Sequence, residues 1–222
     1  MSTFLAPIHY WLFNKIRLHE QLESNLLNAY KNKYGNVIDE IEQNSISIYS
    51  KPLGDKALED NIELSNIHGW LQNTIAKTET RVAFILNEVL RRNGDEAFQI
   101  ALNEFKVQGT LCGRDVKEKG IANTAPKIFK SLNDYLLDGM PCDRVNVVTV
   151  NTEDKIAWNT TECLHRGFWR EAGASDLSLF YVLRFNWIKA FVSSANPDFE
   201  YSYEDGDNIE SLFIHEIAKK SS

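Results

Sequence analysis

Apolar positions recur at roughly helical spacing over the first 140 residues and then switch to strict alternation. Trp11, Leu12, Ile16, Leu22, Leu26 and Leu27 form a stripe that predicts an amphipathic helix ending near Tyr34-Gly35. Val37, Ile38, Ile41 and Ile48 continue in helical or irregular form to Lys51-Pro52-Leu53-Gly54, a turn signal. A second long helical stretch runs from about Asp55 to Arg92, with a break at His68-Gly69 left open. Asn93-Gly94 is its stop, with Arg91 and Arg92 in the last turn. Asp95 caps a further helix to about Val107. Gln108 to Thr124 carries three glycines and reads as a loop or hinge, and Pro126 opens a short helix ending at Asp138-Gly139.

After Pro141-Cys142 the alternation takes over. Arg144 to Val150 and Lys155 to Thr161 read as two strands joined by a turn at Asn151 to Asp154. Glu162 to Ala172 predicts a helix stopped by Gly173, and Asp176 caps another from Leu177 to Val192, ended by Asn196-Pro197. Phe199 to Tyr203, a turn at Glu204 to Asp207, and Ile209 to Ile217 form a second hairpin. The fold class is therefore α+β. A helical region, 1–140, precedes an α+β region, 141–219, in one compact whole; two hairpins supply a four-stranded antiparallel sheet with helices packed on one face.

Composition narrows the function classes. At 222 residues the chain can bury a substantial core, and a formal net charge of −7 with no Lys/Arg stripe excludes a general nucleic-acid binder. No run of about 18 apolar residues predicts a membrane span. The apolar start, MSTFLAPIHYWLFNKI, lacks a basic opening and an A-x-A site, so it reads as the beginning of the fold. Three widely spaced cysteines, Cys112, Cys142 and Cys163, suit reduced thiols in a cytoplasm better than a disulfide framework. The phosphate-loop, dinucleotide, zinc-protease, serine-elbow and C-x-x-C patterns are all missing.

What remains is the cluster Trp158 to Trp169. Cys163 stands where a strand gives way to a helix, a setting that favours a thiolate and can hold an oxyanion. His165 is the candidate proton acceptor or metal ligand, and Glu162 the group that orients it. Residues i and i+2 of a helix do not share a face, so the pair cooperates only if Cys163 precedes the regular helix. The plainer reading makes Cys163 a small buried hydrophobe and His165 a surface residue. Cys142, Cys163, His165 and His215 together offer a zinc or iron set, which nothing in the spacing demands. Arg184 is an anchor for a carboxylate if it points inward. Trp158, Trp169 and Trp187 either line a ligand cavity or belong to the core. His9 is expected to satisfy a backbone group. The apolar stretch Leu5 to Phe13 is a candidate homodimer surface.

The order from residue 141 onward resembles the L-2-amino-thiazoline-4-carboxylic acid hydrolase-like family, similar in shape to small-molecule-binding domains of the 4-vinyl reductase type. The resembling features are the hairpin, Cys163 at a helix start, Glu171-Ala172-Gly173, Asp176-Leu177, Asn196-Pro197-Asp198-Phe199 and the Asp205-Gly206-Asp207 turn. Leu164 stands where the family has proline, and Phe180, Tyr181 and Glu210 to Phe213 hold none of its further cysteines. The resemblance implies hydrolysis of a small carboxylated C–N or C=N substrate such as a thiazoline carboxylate. The alternative is a non-catalytic module that binds a small molecule or a metal.

Overall fold

The computed structural model describes residues 4–140, 142–208 and 211–221. Its elements are α1 (Pro7–Tyr34), α2 (Val37–Tyr49), two short 3-10 turns (Leu58–Asp60 and Leu64–Asn66), α3 (Ile67–Glu118), α4 (Ala125–Tyr135), β1 (Asn146–Asn151), β2 (Lys155–Thr160), α5 (His165–Glu171), α6 (Ser178–Ala195), β3 (Phe199–Asn208) and β4 (Ser211–Lys219). The chain is α+β as expected. Among the described residues no helix is long and apolar enough to cross a membrane.

Most boundaries follow from local chemistry. Pro7 opens α1, and Gly35 ends it at φ 71°, its N–H bonded to the Lys31 carbonyl. Gly94 breaks α3 as expected: its φ of 60° and ψ of −140° are costly for any side chain, and helix resumes directly after it. Two expectations need correction. Residues 55–66 hold only the two short 3-10 turns and no α-helix, and α3 starts only at Ile67. Gly109 and Gly113 do not make a loop, because α3 continues to Glu118; the loop is confined to 119–124, with Gly120 at φ 67°. Gly109 and Gly113, one turn apart, face α6, where an added Cβ would lie 2.3 Å from the carbonyl oxygens of Trp187 and Phe191 respectively. They permit two helices to touch backbone to backbone. Cys112, between them, is buried on a helix, and burial pushes its thiol up to about 12.

The chain forms two compact units that do not follow the change of period at residue 140. Unit 1 comprises Met1–Glu104, Leu137–Met140 and His165–Leu177; unit 2 comprises Phe105–Leu136, Pro141–Leu164 and Ser178–Ser222. In unit 1, Leu12, Phe13 and Ile16 of α1 pack with Leu58, Ile62, Ile67, Leu71, Ile75 and Leu137. Leu12 and Phe13 of the Leu5–Phe13 stretch are thus core, while Phe4, Ile8 and Tyr10 remain exposed.

In unit 2 the strand order is β1-β2-β4-β3, every pair antiparallel. Alternation puts Ile156, Trp158, Phe199, Tyr201, Phe213, His215 and Ile217 on the inner face, buried under α4 and α6. Val148, Trp158, His215 and Tyr203 lie directly opposite one another across the four strands. Pro141, Ile209 and Glu210, which the sequence reading placed at a boundary and in the last strand, fall outside the described residues.

Candidate functional site

The predicted Cys-x-His site is divided between the units. Glu162, exposed, and Cys163, half-buried, lie in unit 2 ahead of α5, while His165 is the first residue of α5 and belongs to unit 1. Cys163 does precede the regular helix. That helix has only seven residues, so its end carries little of the dipole invoked for a thiolate.

His165 is not a surface residue. Its side chain is 5% exposed, with Nδ1 3.1 Å from Glu79 Oε1 and Nε2 3.3 Å from Asp138 Oδ1. Trp169 stacks on the ring at 5.6 Å between centroids. Both ring nitrogens thus lie against carboxylate oxygens of unit 1. The work of His165 is to join α3, the Leu137–Met140 segment and α5 within unit 1.

A second ionic group lies in the same unit. Arg81 Nε contacts both carboxylate oxygens of Glu23, at 2.6 and 2.8 Å, and Nη2 reaches Glu20 at 3.2 Å. Glu20 also accepts the Leu53 N–H, and the Ser50 carbonyl accepts from Arg81. Burial raises the Glu23 carboxyl above its ordinary range against the pull of Arg81, and the charges of Glu20 and Glu42 add to the rise. Beside this group opens a cleft of about 690 Å³ whose walls include Arg17, Gln21, Glu42 and Asp55. His9, as expected, satisfies a backbone group, accepting the Ala6 N–H at Nδ1.

The four residues of the proposed metal set are not gathered as ligands: among the described residues no three His, Cys, Asp or Glu side chains converge on a metal position. Cys142 is exposed. His215 has both ring nitrogens committed, Nδ1 to the Tyr201 hydroxyl at 2.8 Å and Nε2 to Thr160 Oγ at 3.1 Å. Thr160 donates to Asn146 Oδ1 at 2.8 Å. One residue from each strand therefore enters a single hydrogen-bonded chain, Asn146 (β1), Thr160 (β2), His215 (β4), Tyr201 (β3), in the order of the sheet. The polarity follows from donors. Thr160 spends its proton on Asn146 and so accepts from Nε2–H, leaving Nδ1 to accept from Tyr201.

No family model, curated protein or solved structure matches this chain.

Its chemistry therefore rests on this geometry. Trp158 stacks on His215 at 5.0 Å and 16°, and Phe185 meets the same ring edge-on at 5.3 Å. Tyr181, Arg184 and Phe185 share one face of α6, since residues three and four apart do. Tyr181 packs on Phe213, and Phe185 on Tyr203 at 4.2 Å. Arg184 acts electrostatically on Tyr201: burial drives that phenol well above its ordinary range, and the guanidinium pulls it back. Tyr203 keeps 42% of its surface exposed beside this group.

Of the predicted ligand-contacting residues, Trp158, Arg184 and Trp187 lie in unit 2. Trp187 is core, its Nε1 donating to Gln108 Oε1 at 3.0 Å, and Trp169 belongs to the His165 group of unit 1. Sequence reasoning missed Tyr201, Thr160 and Asn146. The available signal was period two, because Thr160 falls on the same face as Trp158, and Tyr201 on that of Tyr203.

Proposed function

We propose that the protein is a small-molecule-binding protein that takes a planar carboxylate beside Arg184 and the exposed side of Tyr203 in unit 2. The observation that carries this reading is the position of Arg184, half-buried on the same α6 face as Tyr181 and Phe185, which pack the sheet aromatics Phe213 and Tyr203. A guanidinium in aromatic surroundings recognises a planar carboxylate through a fork of donors and through stacking. Phe185 and Tyr203 supply the flat surface, and the exposure of Tyr203 leaves it within reach of solvent. A carboxylated substrate is also what the family resemblance implies.

Benzoate and phenylpyruvate test the reading, with calorimetry on the full chain as the measurement. Arg184→Gln removes a charge-assisted hydrogen bond of about 1.5–3 kcal/mol, which weakens binding roughly 10- to 100-fold. Equal affinity of wild type and variant would discard the assignment. The hydrolytic form of the reading makes Cys163 a nucleophile on a C–N or C=N bond of the bound carboxylate. Cys163→Ser separates it from plain binding: affinity is kept under both, and turnover of a thiazoline carboxylate is lost only under hydrolysis.

A further inference from the structure

We infer that β1 is the edge on which a second copy of this chain pairs, strand to strand and antiparallel, so that two four-stranded sheets join into one. The order β1-β2-β4-β3 leaves β1 and β3 at the two edges, and the two are built differently. β3 carries Glu200, Glu204 and Asp205, charges of the kind that keep an edge from pairing. β1, with the sequence NVVTVN, has neither charge nor proline. Val147 and Val148 are 50% and 43% exposed although consecutive residues point to opposite faces, so neither face of the strand is covered there. An uncharged, β-branched edge of this kind is a template for another strand.

The backbone selects the register. The Val145 carbonyl accepts from the Thr161 N–H, and the Thr152 N–H donates to the Lys155 carbonyl, so both residues turn their polar groups into β2. By alternation their neighbours Asn146 and Asn151 turn theirs to the free edge. Residues an odd number apart face opposite ways in a regular strand. The bulge between Val148 and Val150 shifts the alternation by one and brings the two into line. With a two-fold axis between Val148 and Thr149, Asn146 of one copy lies opposite Asn151 of the other, each presenting its backbone groups to its counterpart. The same register carries Arg144 to the turn that holds Glu153, and the symmetry makes that ion pair twice. Both side chains are exposed, and among the described residues neither has an ion-pair partner in its own chain. A chain of net charge −7 repels its copies, and the two Arg144–Glu153 pairs supply attraction at this edge.

Sedimentation velocity of the full chain over a range of concentrations provides the test, with amide hydrogen exchange measured beside it. The wild type is expected to pass from monomer to dimer as concentration rises, with the Asn146 and Asn151 amide protons becoming protected in step. Val148→Lys sets two ammonium groups side by side at the two-fold axis and is expected to leave monomer throughout. Arg144→Glu alone and Glu153→Arg alone are each expected to weaken the dimer about 10-fold, and the double reversal to restore it. All three positions are exposed, and circular dichroism verifies that each variant folds. Should Val148→Lys not fold, the charge reversals carry the test. Wild-type protein that stays monomeric at every concentration overturns the inference and leaves the edge to a strand of another protein. A dimer that Val148→Lys and the single reversals leave unchanged overturns it equally, because the contact then lies on a different face. A double reversal no tighter than the single ones overturns the register and the pairing with it.

Discussion

Both units bury polar side chains, but of opposite kinds. Unit 1 buries ionisable groups: Glu20, Glu23 and Arg81 in one group, and Glu79 and His165, beside half-buried Asp138, in another. Unit 2 holds a hydrogen-bonded series without carboxylate or guanidinium, in which His215 and Tyr201 are buried and Asn146 and Thr160 half-buried. The difference separates two ways of holding. A guanidinium never gives up its proton, so the Arg81 group fixes its neighbours by charge. Hydroxyls, an amide and an imidazole hold the four strands by donor and acceptor.

The largest test of this contrast is Arg81→Met. It strands two carboxylates whose side chains are 2% and 8% exposed, and the expected loss is about 3–5 kcal/mol of stability, read from chemical denaturation by circular dichroism. Replacing Glu20 and Glu23 with Gln in the same chain should restore most of that loss, because the penalty lies in unpaired ions. A cost below about 1 kcal/mol for Arg81→Met would mean that the ionic group does not hold unit 1.

Unit 2 packs α3 against α6 by close approach of their backbones. Gly113→Ala sets a methyl 2.3 Å from the Phe191 carbonyl oxygen, a backbone atom that cannot swing aside. Separating α3 from α6 should cost about 1–3 kcal/mol in the same denaturation assay. Gly167→Ala, a helical glycine whose Cβ would meet open space, serves as the control for adding a methyl without a clash.

The sequence displayed the parts of the fold that local rules determine. Alternation marked all four strands, Gly94 the break in α3, and Pro126 the start of α4. It misled where one residue type answers two needs. Glycines mark turns, yet Gly109 and Gly113 serve a helix crossing that only the position of α6 reveals. The site was less legible for the same reason. His215 stood out as a possible metal ligand, but its partners Thr160 and Tyr201 are 55 and 14 residues away and meet it diagonally across neighbouring strands. Likewise Glu20, Glu23 and Arg81 look like an ordinary solvated helix face until α1 and α3 are brought together. His165 was prominent because it sat near a cysteine in sequence, a proximity that says nothing about which unit each joins.

The unit 2 series predicts smaller mechanical losses than the ionic group. Tyr201→Phe and His215→Gln should each cost about 1 kcal/mol, the worth of an ordinary hydrogen bond, with a coupling of similar size in the double variant. Losses as large as that of Arg81→Met would put both networks on one energetic footing and remove the contrast.

The smallest effect concerns pH and carries a sign. Burial raises the Glu23 carboxyl above its ordinary 4.5, so in this range the folded chain binds more protons at that site than the unfolded one. Its contribution is fully present below about 4.5 and declines as pH rises through the raised value. Asp115 in unit 2 has the reverse sign: hydrogen bonds from Lys119 and Tyr135 hold it below its ordinary 3.8, so its contribution is lost as pH falls through that lowered value. Denaturation midpoints followed across mild acid should therefore lose, in Glu23→Gln, the downward slope with rising pH that the wild type shows just above 4.5. Asp115→Asn should leave that slope intact and alter only the more acidic limb. If Glu23→Gln changes the midpoint by a constant amount at every pH, the carboxyl is not raised by burial, and the ionic group of unit 1 is better solvated than its geometry implies.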